Sequence, residues 1–344
     1  SSGQFADNNK SKYYVKSKHV VTFGNPKLCH FLTPVNKLFC IDIGFKPKST
    51  KFARIEYSDI SNILKPFVNK QYIHKYSRGE VSIHAGSCTY PGAAILSAKS
   101  AYATGSSYVT LVFPSNDFLN VNDDKYNKMI YSLKCKYPDI IIENEQAGIF
   151  GSRIKVCNNL LFGPGIVYSS IEDKNQIREI ENYLINLPSS KNIIVDSGGF
   201  NFISKIDLYP ANAILTPHIG EFKKIFKLKD DILIDIDLFK SIQGRINEKI
   251  IILKSFNTFI ITKDMIYIMD KGPSLLATAG TGDVLSGILV SLLSQGYSRL
   301  ETSILGTYLH AEAANYYMNH ISKDGVTASE LINFIPYAFN KLRK

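Results

Sequence analysis

Apolar residues in this chain fall into short runs separated by stretches with helical spacing. Residues 108–113, 140–142, 193–196, 213–216, 250–253 and 259–262 each read as a strand bounded by turn-forming residues. Several of these runs are apolar without alternation, as in strands covered on both faces. Between them, residues 92–104, 172–187, 220–228 and 236–247 carry apolar positions at helical spacing, and further helices are predicted near 283–295, 302–319 and 328–342. Strand alternating with helix from about residue 53 to 344 predicts an α/β fold, a layered and mainly parallel central sheet flanked by helices.

Residues 1–52 follow a different pattern. Two β-like runs, 19–23 and 38–43, are separated by the turn Gly24-Asn25-Pro26-Lys27 and a short connection. Two strands and a loop cannot bury a core of their own, so this part reads as the remnant of a domain otherwise absent from the chain. A polar, turn-prone linker is expected around residues 45–52.

Bulk composition narrows the class. The chain has 344 residues, 45% of them hydrophobic and 12% aromatic, which is ordinary for a globular protein. No uninterrupted apolar run reaches the length of a membrane span, and the start lacks the layout of a signal peptide. The five cysteines (Cys29, Cys40, Cys88, Cys135 and Cys157) are odd in number and form no C-x-x-C. That argues against a zinc site or a disulfide framework and makes the cytoplasm the expected location. The net charge of +10 arises from 40 Lys and Arg against 30 Asp and Glu, scattered without a basic block. Attraction of small anions is the expected consequence, and neither a nucleic-acid nor a membrane partner is expected.

In an open α/β sheet, ligands bind beyond the carboxyl ends of the strands. The polar segments there are Asp196-Ser197-Gly198-Gly199, Thr216-Pro217-His218, Lys254-Ser255-Phe256-Asn257-Thr258 and Ala279-Gly280-Thr281-Gly282-Asp283. The last is the most informative. Gly280 and Gly282 allow positive φ and close backbone approach, and the helix that follows offers unpaired N–H groups to an anion. Asp283 then stands beside the place for a phosphate, as phosphoryl transfer to a hydroxyl requires. An aspartate in a first helical turn also suits the helix dipole with no further role. Similar ambiguity attends the small-residue helix start at Tyr90-Pro91-Gly92-Ala93-Ala94, the bare turn Gly163-Pro164-Gly165, His218 with a capping Glu221, and Lys254. His19, His30, His74, His84, His310 and His320 show no metal-ligand spacing and receive no role, and no metal site is expected.

Taken in order, Tyr-Pro-Gly-Ala-Ala-Ile-Leu (90–96), Gly-Pro-Gly (163–165), Thr-Pro-His-x-Gly-Glu-Phe (216–222), Leu-Lys (253–254) and Ala-Gly-Thr-Gly-Asp-Val-Leu-Ser-Gly (279–287) resemble the ribokinase-like NAD(P)H-hydrate dehydratases. The resemblance covers about residues 53–344. Ser2-Gly3, Val21-Thr22-Phe23-Gly24-x-Pro26-Lys27 and Asp42-Ile43-Gly44 resemble the closing segments of the partner epimerase domain. The resemblance implies dehydration of the S-epimer of hydrated NADH or NADPH at the expense of ADP, or of ATP, with Mg²⁺, in a homo-oligomer such as a tetramer. It implies that Asp283 is the catalytic base and that Ala93, Gly165, His218 and Asp283 contact the hydrated cofactor. Lys254, Ser255, Phe256, Asn257, Thr258 and Gly282 would hold the nucleotide, and the N–H groups of Gly280, Thr281 and Gly282 would form the anion hole. Two departures stand out: Lys254-Ser255 replaces the family's Lys-Gly, and Gly198 replaces the second acid of Asp-Ala-Asp-Gly/Ala-Leu. Were that carboxylate needed to place Mg²⁺ or a water, activity would be reduced. A small-molecule kinase of the same superfamily and a degenerate nucleotide-binding protein are the competing readings.

Overall fold

The computed structural model describes residues 3–343 apart from 9, 34, 36, 45–50, 66–77, 115–122, 145–156, 168–173, 204 and 233. Of the positions discussed above, Ser2 and His74 lie outside the described residues, as does most of the expected linker.

Ten strands join in one sheet: β3 (Phe52–Arg54), β4 (Glu80–His84), β5 (Tyr108–Phe113), β6 (Ile141–Asn144), β7 (Asn159–Phe162), β8 (Asn192–Val195), β9 (Ala213–Leu215), β10 (Ile250–Lys254), β11 (Thr258–Ile261) and β12 (Ile266–Met269). Their order is β3-β12-β11-β10-β9-β8-β7-β4-β5-β6. Every neighbouring pair is parallel except those made by β11, which runs antiparallel to both β10 and β12. The apolar strands are buried: Ile193, Ile194, Val195, Ile214, Leu215, Ile251 and Ile252 are each at most 1% exposed. Continuous apolar runs thus mark the sheet's interior, as their lack of alternation predicts.

Helices α3 (Pro91–Thr104), α8 (Thr281–Ser294) and α9 (Arg299–His320) build the layer that matters for the site. α8 packs along α3 and against β4, β7 and β8, and is buried on nearly all sides. The other helices here are α2 (Tyr57–Ile63), α4 (Asp123–Lys136), α5 (Lys174–Ile185), α6 (Ile219–Phe226), α7 (Ile236–Ile246), α10 (Ala328–Ile332) and α11 (Ile335–Leu342). The single helix expected over 328–342 is thus two. Pro336 stands in the first turn of α11, where its missing N–H costs nothing, and could not sit inside a continuous helix without losing a bond.

The first part of the chain forms β1 (His19–Phe23), α1 (Cys29–Leu32) and β2 (Lys37–Ile41), with β1 and β2 paired in parallel. The second strand ends at Ile41, because Asp42 turns the chain by accepting a hydrogen bond from the Gly44 N–H at 2.8 Å. Leu28 and Phe31 are buried in the same core as the large sheet. Lys10 pairs with Asp235 at 2.7 Å, and Asn8 makes a β-bridge to the same residue. Val21, Phe23, Phe39 and Ile41 remain exposed on the small sheet. Phe52, at the end of the expected linker, belongs to β3 and so to the main sheet. All five cysteines are free, and no helix among the described residues is long and apolar enough to cross a membrane.

Candidate active site

The strand order reverses between β4 and β7, and the loops leaving those strands open a crevice there. The two loops are stitched together. The Gly163 N–H donates to the His84 carbonyl at 3.0 Å, and the Gly86 N–H donates to the Pro164 carbonyl at 2.7 Å. The next three strands in the sheet end at Asp196, at Thr216-Pro217-His218 and at Lys254. His218 and Lys254 lie side by side in a parallel bridge, with the Lys254 N–H donating to the Pro217 carbonyl at 2.9 Å.

Asp196 ties these loops to the helix layer. It is 1% exposed, accepts from Lys254 Nζ on Oδ1 at 2.8 Å, and accepts from Ser286 Oγ on Oδ2 at 2.6 Å. A buried carboxylate held by a cation and a hydroxyl fixes its partners as firmly as they fix it. The sequence places Asp196 in a strand-end loop and Ser286 in the glycine-rich motif but gives neither a role. The available signal was positional: an acid at the carboxyl end of a buried strand.

The Gly-rich turn opens α8 as expected. Gly280 is the N-cap with φ +89°, a conformation that favours glycine. Gly282, by contrast, is not in the positive-φ region expected from the sequence; it lies within the first helical turn. Lys254 Nζ lies close by, about 3.4 Å from where a β-carbon would stand, which is ordinary contact and does not itself require glycine. The first intrahelical bond runs from the Val284 N–H to the Gly280 carbonyl at 3.2 Å, so the N–H groups of Gly282 and Asp283 precede the helical ladder. The Thr281 N–H instead faces the Thr278 carbonyl at 3.3 Å, and its hydroxyl donates to the Leu276 and Thr278 carbonyls. The Thr281 N–H is thus engaged within the turn, while those of Gly282 and Asp283 have no intrahelical acceptor.

Two cavities meet at this turn. One, of about 730 Å³, is lined by Tyr90, Ala93, Gly165, His218, Glu221 and Asp283, among others. The second, of about 740 Å³, is lined by Lys254, Ser255, Phe256, Asn257, Thr258, Thr281 and Gly282, with further residues from the start of the chain. The residues expected at the hydrated cofactor thus share one cavity, and those expected at the nucleotide share the other. Gly282 faces one and its neighbour Asp283 the other.

Individual side chains refine the picture. His218 is itself the N-cap of α6: its Nδ1 accepts from the Gly220 and Glu221 N–H groups at 3.0 and 3.3 Å. That leaves the ring proton on Nε2. Glu221 completes a capping box by accepting from the His218 N–H at 2.8 Å. Burial raises the Glu221 carboxyl above the usual range, opposed by that hydrogen bond and by Lys254. Burial also pushes Asp283 up to about 7, aided by the charge of Asp196 and opposed by Lys254. One N–H of the Asn257 side-chain amide is engaged, Nδ2 donating to the Phe31 carbonyl at 2.8 Å. Phe256 is exposed. His310 lines the second cavity, where burial holds its ring at about 4 and Nε2 is buried with no hydrogen-bond partner among the described residues. No sequence signal marked it.

Gly198 has a structural reason. A β-carbon there would lie 2.0 Å from the Ile166 carbonyl oxygen, so no acidic side chain fits while the loop keeps this path. Among the described residues no group of three or more His, Cys, Asp or Glu is placed to hold a metal ion.

The sheet, the glycine-opened helix and the paired cavities define a ribokinase-like fold. A family model described as NAD(P)H-hydrate dehydratase matches residues 81–337. The chain belongs to that family. It is 30% identical over 276 residues to a bifunctional NAD(P)H-hydrate repair enzyme of Dictyoglomus turgidum, covering 78% of this chain and 52% of that protein. This chain therefore spans about half the length of that relative. An ADP-dependent (S)-NAD(P)H-hydrate dehydratase of Staphylococcus aureus is 26% identical over 281 residues, covering 79% of this chain and 93% of the other. Among solved structures, an ADP/ATP-dependent NAD(P)H-hydrate dehydratase of Bacillus subtilis, co-crystallized with ATP and Mg²⁺, superposes with a TM-score of 0.66. It is 20% identical and covers 86% of this chain and 100% of its own.

Proposed function

We propose that this protein removes water from the S-epimer of hydrated NADH or NADPH, consuming ADP or ATP, and so restores a damaged nicotinamide cofactor. The observation that carries the reading is the junction at α8, where Asp283 faces one cavity while Gly282 and Lys254 line the other.

Hydroxide is a poor leaving group, and a phosphorylated hydroxyl departs far more readily. In this reading the Asp283 carboxylate accepts the proton of the ring hydroxyl. The hydroxyl oxygen attacks the terminal phosphorus, forming an O–P bond as the bond to the rest of the nucleotide breaks. The N–H groups of Gly282 and Asp283, with the Lys254 ammonium, bind the phosphoryl oxygens as charge shifts among them. Inorganic phosphate then leaves C6 with the electrons of the C–O bond, a proton leaves C5, and the dihydropyridine is restored. Asp196 orients Lys254 without touching either ligand. His218, whose Nε2 faces Glu221 Oε1 at 3.5 Å, stands beside Ala93 and Gly165 at the hydrated cofactor. A Mg²⁺ accompanying the nucleotide would be held mainly by its phosphate oxygens and would supply charge neutralisation.

The same reading assigns residues 53–344 to the dehydratase domain and residues 1–52 to the end of an epimerase-like domain. The exposed apolar face of the small sheet and the greater length of the bifunctional relative support that assignment. Assembly as a homo-oligomer such as a tetramer also belongs to it.

The test is incubation with hydrated NADPH plus ADP or ATP, followed by the absorbance of reduced nicotinamide. Recovery is expected with the unaltered chain. For Asp283→Asn, kcat should fall by roughly 10²–10⁴ while calorimetric nucleotide binding stays within a few-fold. No recovery with either nucleotide, or undiminished turnover by the variant, would remove the reading.

A further inference from the structure

The nucleotide-side cavity has a wall that the ribokinase-like body does not supply. His30, Phe31, Val35, Lys37 and Leu38, all from the β1-α1-β2 unit, line it together with Lys254 and Gly282. This unit is fastened where it matters. The Asn257 amide bonded to the Phe31 carbonyl belongs to the loop after Lys254, and both residues are buried, Asn257 at 9% and Phe31 at 5% exposed. The ion pair between Lys10 and Asp235 ties the segment preceding β1 to the rest of the protein. His310 gives an independent sign that the cavity takes a polar ligand. Its buried Nε2 has no hydrogen-bond partner among the described residues, a costly state unless something else meets it.

Phosphate groups belong at Gly282 and Lys254, beside Asp283. A cavity of about 740 Å³ is far larger than a diphosphate, and beside polar residues such as Arg54 and Asp270 its lining includes Val35, Leu38 and Leu276. Those are apolar surfaces of the kind that takes up a flat heterocycle, with Lys37 exposed at the rim. We infer that His30, Phe31, Val35 and Leu38 form the wall against which the nucleoside end of the bound ADP or ATP packs. The inference rests on reading this cavity as the nucleotide site. It makes the first part of the chain a working component of the dehydratase, whatever other domain it once completed or still completes.

Hydrogen–deuterium exchange of the full chain, with and without ADP, tests it without altering the protein. Protection is expected in peptides covering residues 28–38 as well as 254–258. Protection of 254–258 alone would overturn this inference and leave the nucleotide site standing, whereas protection of neither would overturn both. A second arm uses Val35→Trp, which intrudes on the wall. Its KM for ADP should rise about tenfold, with the KM for the hydrated cofactor unchanged and the melting curve cooperative. An unchanged KM for ADP in a folded variant would overturn the inference.

Discussion

A carboxylate that must take up a proton near neutral pH has to be less acidic than aspartate in water. Asp283 meets that need through its surroundings: burial, then the nearby charge of Asp196, raise it to about 7 against the opposing pull of Lys254. The sign of the consequence follows directly. Below pH 7 the group is protonated and cannot accept the hydroxyl proton; above it the base is ready. The expected outcome is a kcat/KM that climbs about tenfold per pH unit on its acid side and levels off above an apparent pKa near 7, read from initial rates between pH 5 and 9. A level profile down to pH 5 would mean that another group is the base. The position of Asp283 was legible in the sequence because the Gly-rich turn and the helix it opens are contiguous. Its acidity was not, because Asp196 and Lys254 reach it only through the sheet. The same holds for His310, whose unpaired nitrogen depends on a cavity formed by distant segments.

At the level of elements, the continuous apolar runs of β5, β8, β9, β10 and β11 announced themselves, and observed ends differ from expected ones by about a residue. β4 was missed because Ser82 and His84 break its apolar character. Ser82 Oγ and His84 Nε2 pair inside the core at 2.9 Å, a contact invisible until the strand is folded. The loop after β8 teaches a related lesson. From sequence alone, Gly198 looked like the loss of an acid. In the fold it is where Ile166 passes so close that only a bare backbone fits. Restoring an acid there should therefore harm the protein. Gly198→Asp is expected to lower stability by roughly 2–3 kcal/mol, the cost of overpacking with a buried charge added, and to depress the melting temperature by about 5 °C or more. Calorimetric or dichroism melts would check it. A variant as stable as the parent and more active would show that the loop is free to take the other path.

The whole molecule adds a property that belongs to no single site. Residues 1–52 read as a remnant in sequence because two strands cannot hold a core. What the sequence could not reveal is that Leu28 and Phe31 join the large core, since nothing local encodes which body a short segment docks against. Charge, by contrast, was fully legible: 40 basic residues against 30 acidic give +10, and several lysines stand at the cavities, Lys37 and Lys254 at one and Lys224 at the other. Both proposed ligands are polyanions, so the field of the protein and its local lysines act in the same direction. Exposed charges are screened over about 10 Å at 0.1 M salt and over about 3 Å at 1 M, whereas the Lys254–Asp196 pair lies mostly out of water's reach. Raising potassium chloride from about 0.05 to 0.5 M should therefore lower kcat/KM for the nucleotide several-fold while kcat at saturation changes little. Initial rates across that range separate the two parameters. If kcat fell in step with kcat/KM, salt would be disturbing the chemistry at Asp283 and Lys254, and the surface field would not be what draws the nucleotide in.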